Sequence, residues 1–511
     1  MKNTIKLNIV FAVIGIFVVN VSCTDLETEL YSDLTPETEY TTTNTQLAAI
    51  LTAYAPLKDS YGNNGYFEIQ ELSTETSAAP AKFGPWDDGG IWARLHKHEW
   101  ENNAWFINNA WNMCFSGLST CNRLIEEFQA TSADVEDAVN ELRALRVFYL
   151  YTAMDLWGDI PLVNSFSDAE ASPSRTPKAD VYAYLVSELE ELITVLPSNI
   201  GGESYSRMNS WTAMSLLTRL YLNAETYTGT SQWQKASDMA QSIIDGGKFT
   251  LQGAYLDNFS SSNEGSIENI FVISHSSTSG GVFNMHMRTL HPLNKETYGL
   301  SDGPWNGYTA LEEFYNSFDD ADVRKDMFIV GQQYTAAGDP INDPNGTIEV
   351  DSQGNSDPDG APLIFTPFIN ELSPKAFSQS GSRIGKYEIV NGLALAMDND
   401  FPVFRYADIL LMRAEALWRM DNSSAEAIEL VRQVRERAGL GEISPLTEDS
   451  LYNEIQRELA FEAQARTIMV RFGRFNNQWW EKTITDPNKN VFPIPTDQLN
   501  GNPNLSQNTG Y

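Results

Sequence analysis

The sequence is short of histidine, cysteine and basic side chains. Five His among 511 residues leave little from which to build catalytic bases or transition-metal sites. Three Cys supply no CxxC pair and no Cys/His cluster at zinc spacing. Lys and Arg number 34 against 68 Asp and Glu, a formal charge of −34. A phosphate backbone is gripped by clustered cations, and with no basic run the chain has no footprint for nucleic acid. The apolar run over residues 9–19 is eleven residues long, about half of what a bilayer-spanning helix needs. What remains is a chain 42% hydrophobic and 20% charged, neither disordered, collagen-like nor polytopic. Its length suits two to four average domains or one large fold.

Lys2 and Lys6 precede the short apolar run, which reads as a signal peptide over residues 1–22. The run ends in Val21-Ser22-Cys23, which resembles the cleavage box of bacterial lipoproteins, where the Cys thiol receives the lipid. The other reading is an ordinary secretory peptide with an incidental Cys. A lipid on Cys23 would tether the chain without spanning the membrane. Asp25, Glu27 and Glu29 follow, either as a surface-export stretch of the kind found in some Gram-negative lipoproteins or as a solvated tether. Cys114 and Cys121 lie seven apart in a helical pattern, so their Cα atoms stand about 10 Å apart. That exceeds disulfide reach, and both read as buried thiols.

Helical periodicity runs over residues of about 101–129, 136–157, 178–196, 208–227, 232–246, 403–421, 424–438 and 448–472. The predicted class is mainly α. Gly158 and Pro161, Pro197, Gly246-Gly247 and Gly439 supply the stops. Trp211, Met214, Leu217 and Tyr221 form one stripe that predicts burial against a neighbouring helix. Short connections between successive helices favour antiparallel pairs, and so stacked hairpins of the tetratricopeptide kind, though no clean 34-residue repeat is present. Residues 23–511 read as a single domain in which helical blocks of about 101–246 and 403–472 flank a loop-rich insertion of about 250–400. The insertion is rich in Gly, Ser, Asn, Asp and Pro. A second irregular stretch runs from Tyr61 to His98, and loops on a rigid scaffold are where binding residues tend to sit.

Catalytic patterns fail. His98-Glu99 lacks the second His of HExxH, there is no GxSxG elbow, and Gly246-Gly-Lys248 lacks the Walker spacing. No cofactor is implied. Asn355-Ser-Asp357-Pro-Asp359-Gly360 imitates half of a calcium loop, but Thr366 stands where the bidentate Glu belongs, so the competing reading is an Asx/Gly turn and no metal site is assigned. Two clusters stand out: Phe83-Gly-Pro-Trp86-Asp-Asp-Gly-Gly90-Ile-Trp92 and Gly303-Pro-Trp305-Asn306-Gly-Tyr308. Trp offers a flat apolar face to the C–H side of a sugar ring, while Asp and Asn accept its hydroxyl protons. The bland alternative is a loop pinned to the core by its Trp.

Further motifs carry a resemblance. Phe404-Arg405-Tyr406-Ala407-Asp408-Ile-Leu-Leu-Met412-Arg-Ala-Glu415, Glu454-Ile-Gln-Arg457-Glu-Leu-Ala-Phe461-Glu462-Ala-Gln-Ala-Arg466, Phe492-Pro-Ile-Pro495, the stretch from Asn502 to Tyr511, Glu141-Leu-Arg143-Ala-Leu-Arg146 and Trp157-Gly-Asp-Ile-Pro161 together resemble the SusD/RagB family. Its members are outer-membrane, lipid-anchored proteins that capture nutrients, mostly glycans. Ala463 stands where the family usually has Gly, and Thr509 where it usually has Pro. The resemblance implies a tetratricopeptide-like helical fold, no catalysis, an oligosaccharide ligand, surface exposure on the outer membrane, and a SusC-type TonB-dependent transporter as partner. It implies a ligand site in aromatic-bearing loops, at Trp86 with Asp87 and at Trp305 with Tyr308. Arg383 and Tyr387, which end the insertion, are further candidates. Glu462 and Arg466, four apart, are expected to pair on one helix face. A glycoside hydrolase on a helical scaffold and a non-binding transporter subunit remain the rival readings.

Overall fold

A computed structural model describes residues 40–511 apart from 84, 132 and 279–282. The expectations for the signal peptide, for Cys23 and for Asp25, Glu27 and Glu29 lie outside the described residues.

The fold is mainly α, as the periodicity predicts. Its frame is a row of helices: α1 (Thr43–Ser60), α2 (Trp105–Gln129), α3 (Glu136–Trp157), α4 (Lys178–Val195), α5 (Ser210–Leu222), α6 (Trp233–Asp245), α7 (Tyr406–Met420) and α8 (Ala425–Arg437). Each packs on the next, so the apolar stripe of one is covered by its neighbour, as in stacked helical hairpins. Starts follow cap chemistry. Asn209 Oδ1 accepts the Thr212 amide at 3.0 Å before α5, and Ser424 Oγ accepts the Ala427 amide at 3.2 Å before α8, each satisfying a donor the helix cannot. Cys114 and Cys121 are free and buried in α2. The α5 stripe is less deep than its spacing predicts: Leu217 and Tyr221 are buried, while Trp211 and Met214 are only half-buried.

Between α6 and α7 the chain leaves the row. Strand β1 (Asn269–Ile273) pairs antiparallel with β2 (Phe401–Arg405), from Asn269 opposite Arg405 to Ile273 opposite Phe401, and so joins the start of the excursion to its end. β2 runs directly into α7. All five of its residues are buried, and an apolar run of that length reads equally as strand or helix, which is why the helix expected from about residue 403 begins at Tyr406. Within the insertion the remaining ladders are two-residue pairs.

The helix expected over about 448–472 is two helices, α9 (Glu448–Glu458) and α10 (Ala465–Arg471). Phe461 and Ala463 between them have φ of 60° and 56°, a left-handed backbone that Gly tolerates best. The break falls where the family's usual Gly is replaced by Ala463. It also separates Glu462 from Arg466, so their expected pairing does not occur. Glu462 instead accepts from Arg405 Nε at 2.8 Å and Lys386 Nζ at 2.6 Å, and Arg466 Nη1 donates to Asp155 Oδ2 at 2.8 Å.

The Glu462 bonds belong to a buried ionic network. Arg405 Nη1 also reaches Glu268 at 2.8 Å and Glu458 at 2.6 Å. Arg324 Nη1 reaches Glu454 at 2.8 Å and Glu458 at 2.9 Å, and Arg437 joins Glu268 and Glu458. Burial alone would raise the Glu458 carboxyl, but Arg437, Arg405 and Arg324 outweigh it and hold the group well below the ordinary carboxylate range. The insertion is thus bolted to α8 and α9 by charge.

Candidate functional site

Two loops build one cleft. The first follows the strand Ser77–Ala78, which pairs with Thr309–Ala310. The Ala81 amide donates to Leu372 O at 2.8 Å and the Phe83 amide to Ala376 O at 3.2 Å. The turn Pro85–Gly90 then passes through left-handed backbone at Asp88, Gly89 and Gly90. Asp88 Oδ2 accepts the Trp92 indole N–H at 2.7 Å, so the second Asp of the pair is used to fix an aromatic. Asp87 is exposed beside it.

The second loop is held to the short helix Met285–Thr289. The Trp305 amide donates to Met287 O at 2.6 Å, and the Gly307 and Tyr308 amides donate to Arg288 O at 2.7 and 2.8 Å. The two loops latch together: Trp86 Nε1 donates to Trp305 O, and Lys82 Nζ donates to Gly307 O at 3.2 Å. Gly307 is required here, because a Cβ at that position would stand 2.3 Å from the Trp86 ring.

The cleft has a volume of about 390 Å³ and is lined by Phe83, Trp86, Trp305, Asn306, Ile348 and the polar groups Lys82, His291, Asp343, Glu349 and Ser378. Trp305 is half-buried and Phe83 is 39% exposed, so apolar ring surface borders the opening. Trp86 is only 7% exposed. It packs at 5.2 Å from the Trp92 ring and 5.3 Å from Tyr308, and forms wall more than platform. Asn306 Nδ2 donates to Ser378 O at 3.0 Å, while its Oδ1 is buried without a partner. Glu349 accepts the Ser378 amide at 2.8 Å, and burial raises its carboxyl above the usual range. Burial lowers His291, which lies 3.4 Å from Asp343, so the imidazole is neutral at neutral pH. Burial likewise lowers Lys82.

Trp86 and Trp305 are therefore brought together, and the other expected residues are not. Tyr308 is fully buried. Its hydroxyl donates to Glu68 Oε1 at 2.6 Å and accepts from Arg288 Nη1 at 2.6 Å, which braces the loop from behind. Arg383 is fully buried too, donates to the carbonyls of Ser380 at 2.7 Å and Ser378 at 2.8 Å, and lies over the Phe365 ring. Tyr387 is 1% exposed, with its hydroxyl on Phe461 O at 3.0 Å. With no face of these three reaching solvent, the expectation of ligand contact gives way to roles in holding the insertion. Asp87 does not line the cleft. Phe83 and Asn306 lie inside the two motifs and were open to being found. His291, Asp343 and Glu349 come from scattered points of the insertion with no motif to mark them. In the calcium-like segment Asp357 Oδ1 accepts the Asp359 amide at 3.0 Å, an Asx turn. Among the described residues no group of three or more His, Cys, Asp or Glu is arranged to hold a metal.

Known proteins share this organisation. The SusD family matches residues 223–511, and a second family, described as "Starch-binding associating with outer membrane", matches residues 26–222. The chain is 25% identical to starch-binding protein SusD of Bacteroides thetaiotaomicron over 406 residues, covering 73% of this chain and 72% of that protein. It is 25% identical to SusD-like protein P2 of Formosa agariphila over 532 residues, covering 96% and 97%. Surface glycan-binding protein A from Bacteroides thetaiotaomicron, solved in complex with laminarihexaose, superposes with a TM-score of 0.70 at 22% identity, over 92% of this chain and all of that one. With a family match across more than half its length and the same helical fold, the chain belongs to the SusD family.

Proposed function

We propose that this protein captures glycan at the cell surface and passes it to a transporter without cleaving it. The observation that carries the reading is the cleft at the two latched loops. There, half-exposed Trp305 and exposed Phe83 border an opening that also holds the unpartnered Asn306 Oδ1. An indole face strips water from the C–H side of a sugar ring, and carboxylate and amide oxygens accept its hydroxyl protons. Relatives described as starch-binding and laminarin-binding support the ligand class. Residues 23–511 act as one binding unit, tethered to the outer membrane through lipid on Cys23, and the receiving partner is a TonB-dependent transporter of the SusC type.

Incubating the mature protein with a panel of neutral polysaccharides, and following both retention in affinity electrophoresis and released sugars, tests this. Retention without product is the expected result. Product formation would identify a hydrolase working through the cleft carboxylates, and absence of both would leave a structural subunit. Cys23→Ala should release the protein from the membrane fraction, because an eleven-residue apolar run cannot hold it there.

A further inference from the structure

A second cleft, of about 350 Å³, opens at the other end of the same ribbon. The strand Ser77–Ala78 and its partner Thr309–Ala310 run antiparallel. One end of the pair leads to Lys82, Trp86 and Trp305. The other leads to Glu75, Thr76, Leu311 and Glu313, which line the second cleft together with Tyr452 and Gln456 of α9 and with Trp479 and Trp480. The two clefts share no lining residue. Thr76 and Lys82 are six positions apart, a reach of at most about 20 Å.

The pair of tryptophans is displayed by a built turn. Trp479 and Lys482 exchange backbone hydrogen bonds at 3.2 and 3.0 Å, with Trp480 and Glu481 at the tip. Glu481 has φ of 52°, uncommon for a residue with a side chain and a sign that the surroundings dictate the turn. Those surroundings are visible. Glu481 Oε1 accepts the Leu372 amide at 2.9 Å, His96 Nε2 donates to Trp480 O at 2.8 Å, and Lys482 Nζ lies 3.9 Å over the Trp479 ring. Both indoles are nevertheless half-exposed, and Trp479 Nε1 is buried with no partner. Nearby, the Tyr452 hydroxyl donates to Glu75 at 2.6 Å and accepts from Gln456 at 2.9 Å, leaving amide and carboxylate oxygens around the aromatic surface. Two carboxylates and no Lys, Arg or His line the cleft.

We infer that this cleft is a second saccharide site, one that takes an uncharged sugar ring on Trp480 and rejects sulfated or uronic acid rings by repulsion from Glu75 and Glu313. Lys482 lies on the Trp479 ring but is buried and spends its ammonium on Asn477 O and Thr483 O, so an indole paired with hydroxyl acceptors and no lining cation fits a neutral polyol and fits an anion badly.

The test uses the mature protein labelled with 5-fluorotryptophan, the Trp480 resonance being assigned with Trp480→Phe. Laminarihexaose, maltohexaose and cellohexaose are the neutral probes, with a galacturonate oligosaccharide as the charged one. The expected result is that at least one neutral hexaose shifts the Trp480 resonance, equally in wild type and in Trp305→Ala, and that the charged probe leaves it in place. In Trp480→Ala the Trp479 resonance, assigned with Trp479→Phe, should report binding of that hexaose about tenfold weaker than in wild type. If the Trp480 resonance stays fixed with all three neutral probes, or moves with the galacturonate probe, the inference is overturned. Because the Trp480 signal is read apart from Trp305, failure here is distinguishable from failure of the first cleft.

Discussion

In the helical row each helix covers its neighbour's apolar stripe, α2 on α3, α3 on α4 and on through α8, whereas the loops of the first cleft hold their aromatics by polar latches as well as packing: Trp86 to Trp305 O, Trp92 to Asp88 and Tyr308 to Glu68. Trp211 and Trp86 carry the difference. Trp211, on α5, is half-buried: its N–H donates to Ser198 O at 2.9 Å, and its ring covers Gly246, where a Cβ would come within 2.4 Å. Trp86, on a Gly-rich turn, is 7% exposed and latched to Trp305 O. A loop that presents one rigid surface has to be anchored in the common core, as Trp86, Trp92 and Tyr308 are, and its tryptophans divide between building the wall and facing the opening.

The largest effect is expected at the junction between insertion and row. Glu458→Ala removes the shared partner of Arg324, Arg405 and Arg437 and strands buried cations, at a cost of about 3–5 kcal/mol. Urea denaturation measures it; a loss below 1 kcal/mol, as a rough threshold, would mean that water reaches the network. A loss of similar size, about 3–5 kcal/mol for a buried aromatic, is expected for Trp86→Ala, ahead of Trp211→Ala at about 1–2 kcal/mol, because part of that ring already meets water. Should Trp211→Ala prove the costlier, the contrast between row and loop fails.

That ordering reverses what spacing alone implies, and the reason is physical. Periodicity identifies a helix face but not how far a neighbour extends over it, so α5 was legible and the exposure of Trp211 was not. Composition marks the insertion and both Trp clusters as loops. The bonds that turn Tyr308 and Tyr387 inward join residues far apart in sequence, Tyr308 with Glu68 and Tyr387 with Phe461, whereas Arg383 is turned inward by the nearby carbonyls of Ser378 and Ser380. Likewise Glu462 and Arg466 suit an uninterrupted helix, and only the left-handed backbone at Phe461 and Ala463 sends them to different partners. The family motifs contain Arg405, Glu458 and Glu462 of the buried network.

Two buried glutamates sharpen the comparison through pH. On α7, burial would raise the Glu415 carboxyl, but Arg471 and Arg419 lower it below its ordinary range. Its contribution is present above the unfolded carboxylate pKa of about 4.3 and is lost as pH falls through the folded value. Glu71, beneath the ribbon, is raised by burial to about 8, against partial lowering by the Gln464 amide and Lys386. Its contribution is complete below the unfolded pKa and is lost as pH rises toward about 8. Glu71→Gln should therefore flatten the fall in melting temperature between the unfolded carboxylate pKa of about 4.3 and about 8, while leaving the loss below that window unchanged. A fall across that window as steep as in wild type would show that Glu71 is not the group responsible.

The smallest stability change, about 1 kcal/mol, is expected for Trp305→Ala. The loop around it is fixed by main-chain bonds that survive the substitution: its own amide to Met287 O, the Asn306 amide to Leu290 O and the Gly307 amide to Arg288 O. Even the Trp86 latch ends on the Trp305 carbonyl and does not depend on the side chain. What the substitution removes is the half-exposed ring at the cleft mouth, a central aromatic of the kind that dominates affinity while polar neighbours set orientation. Retention on a polysaccharide that binds the wild type should then disappear in affinity electrophoresis, with circular dichroism and urea midpoint nearly unchanged. Trp86→Phe, which keeps an aromatic in the wall but removes the N–H to Trp305 O, should keep part of that retention and lose more stability. If Trp305→Ala instead binds as wild type does, Trp305 belongs with Trp86 as wall, and the sugar-facing surface has to be sought at Phe83.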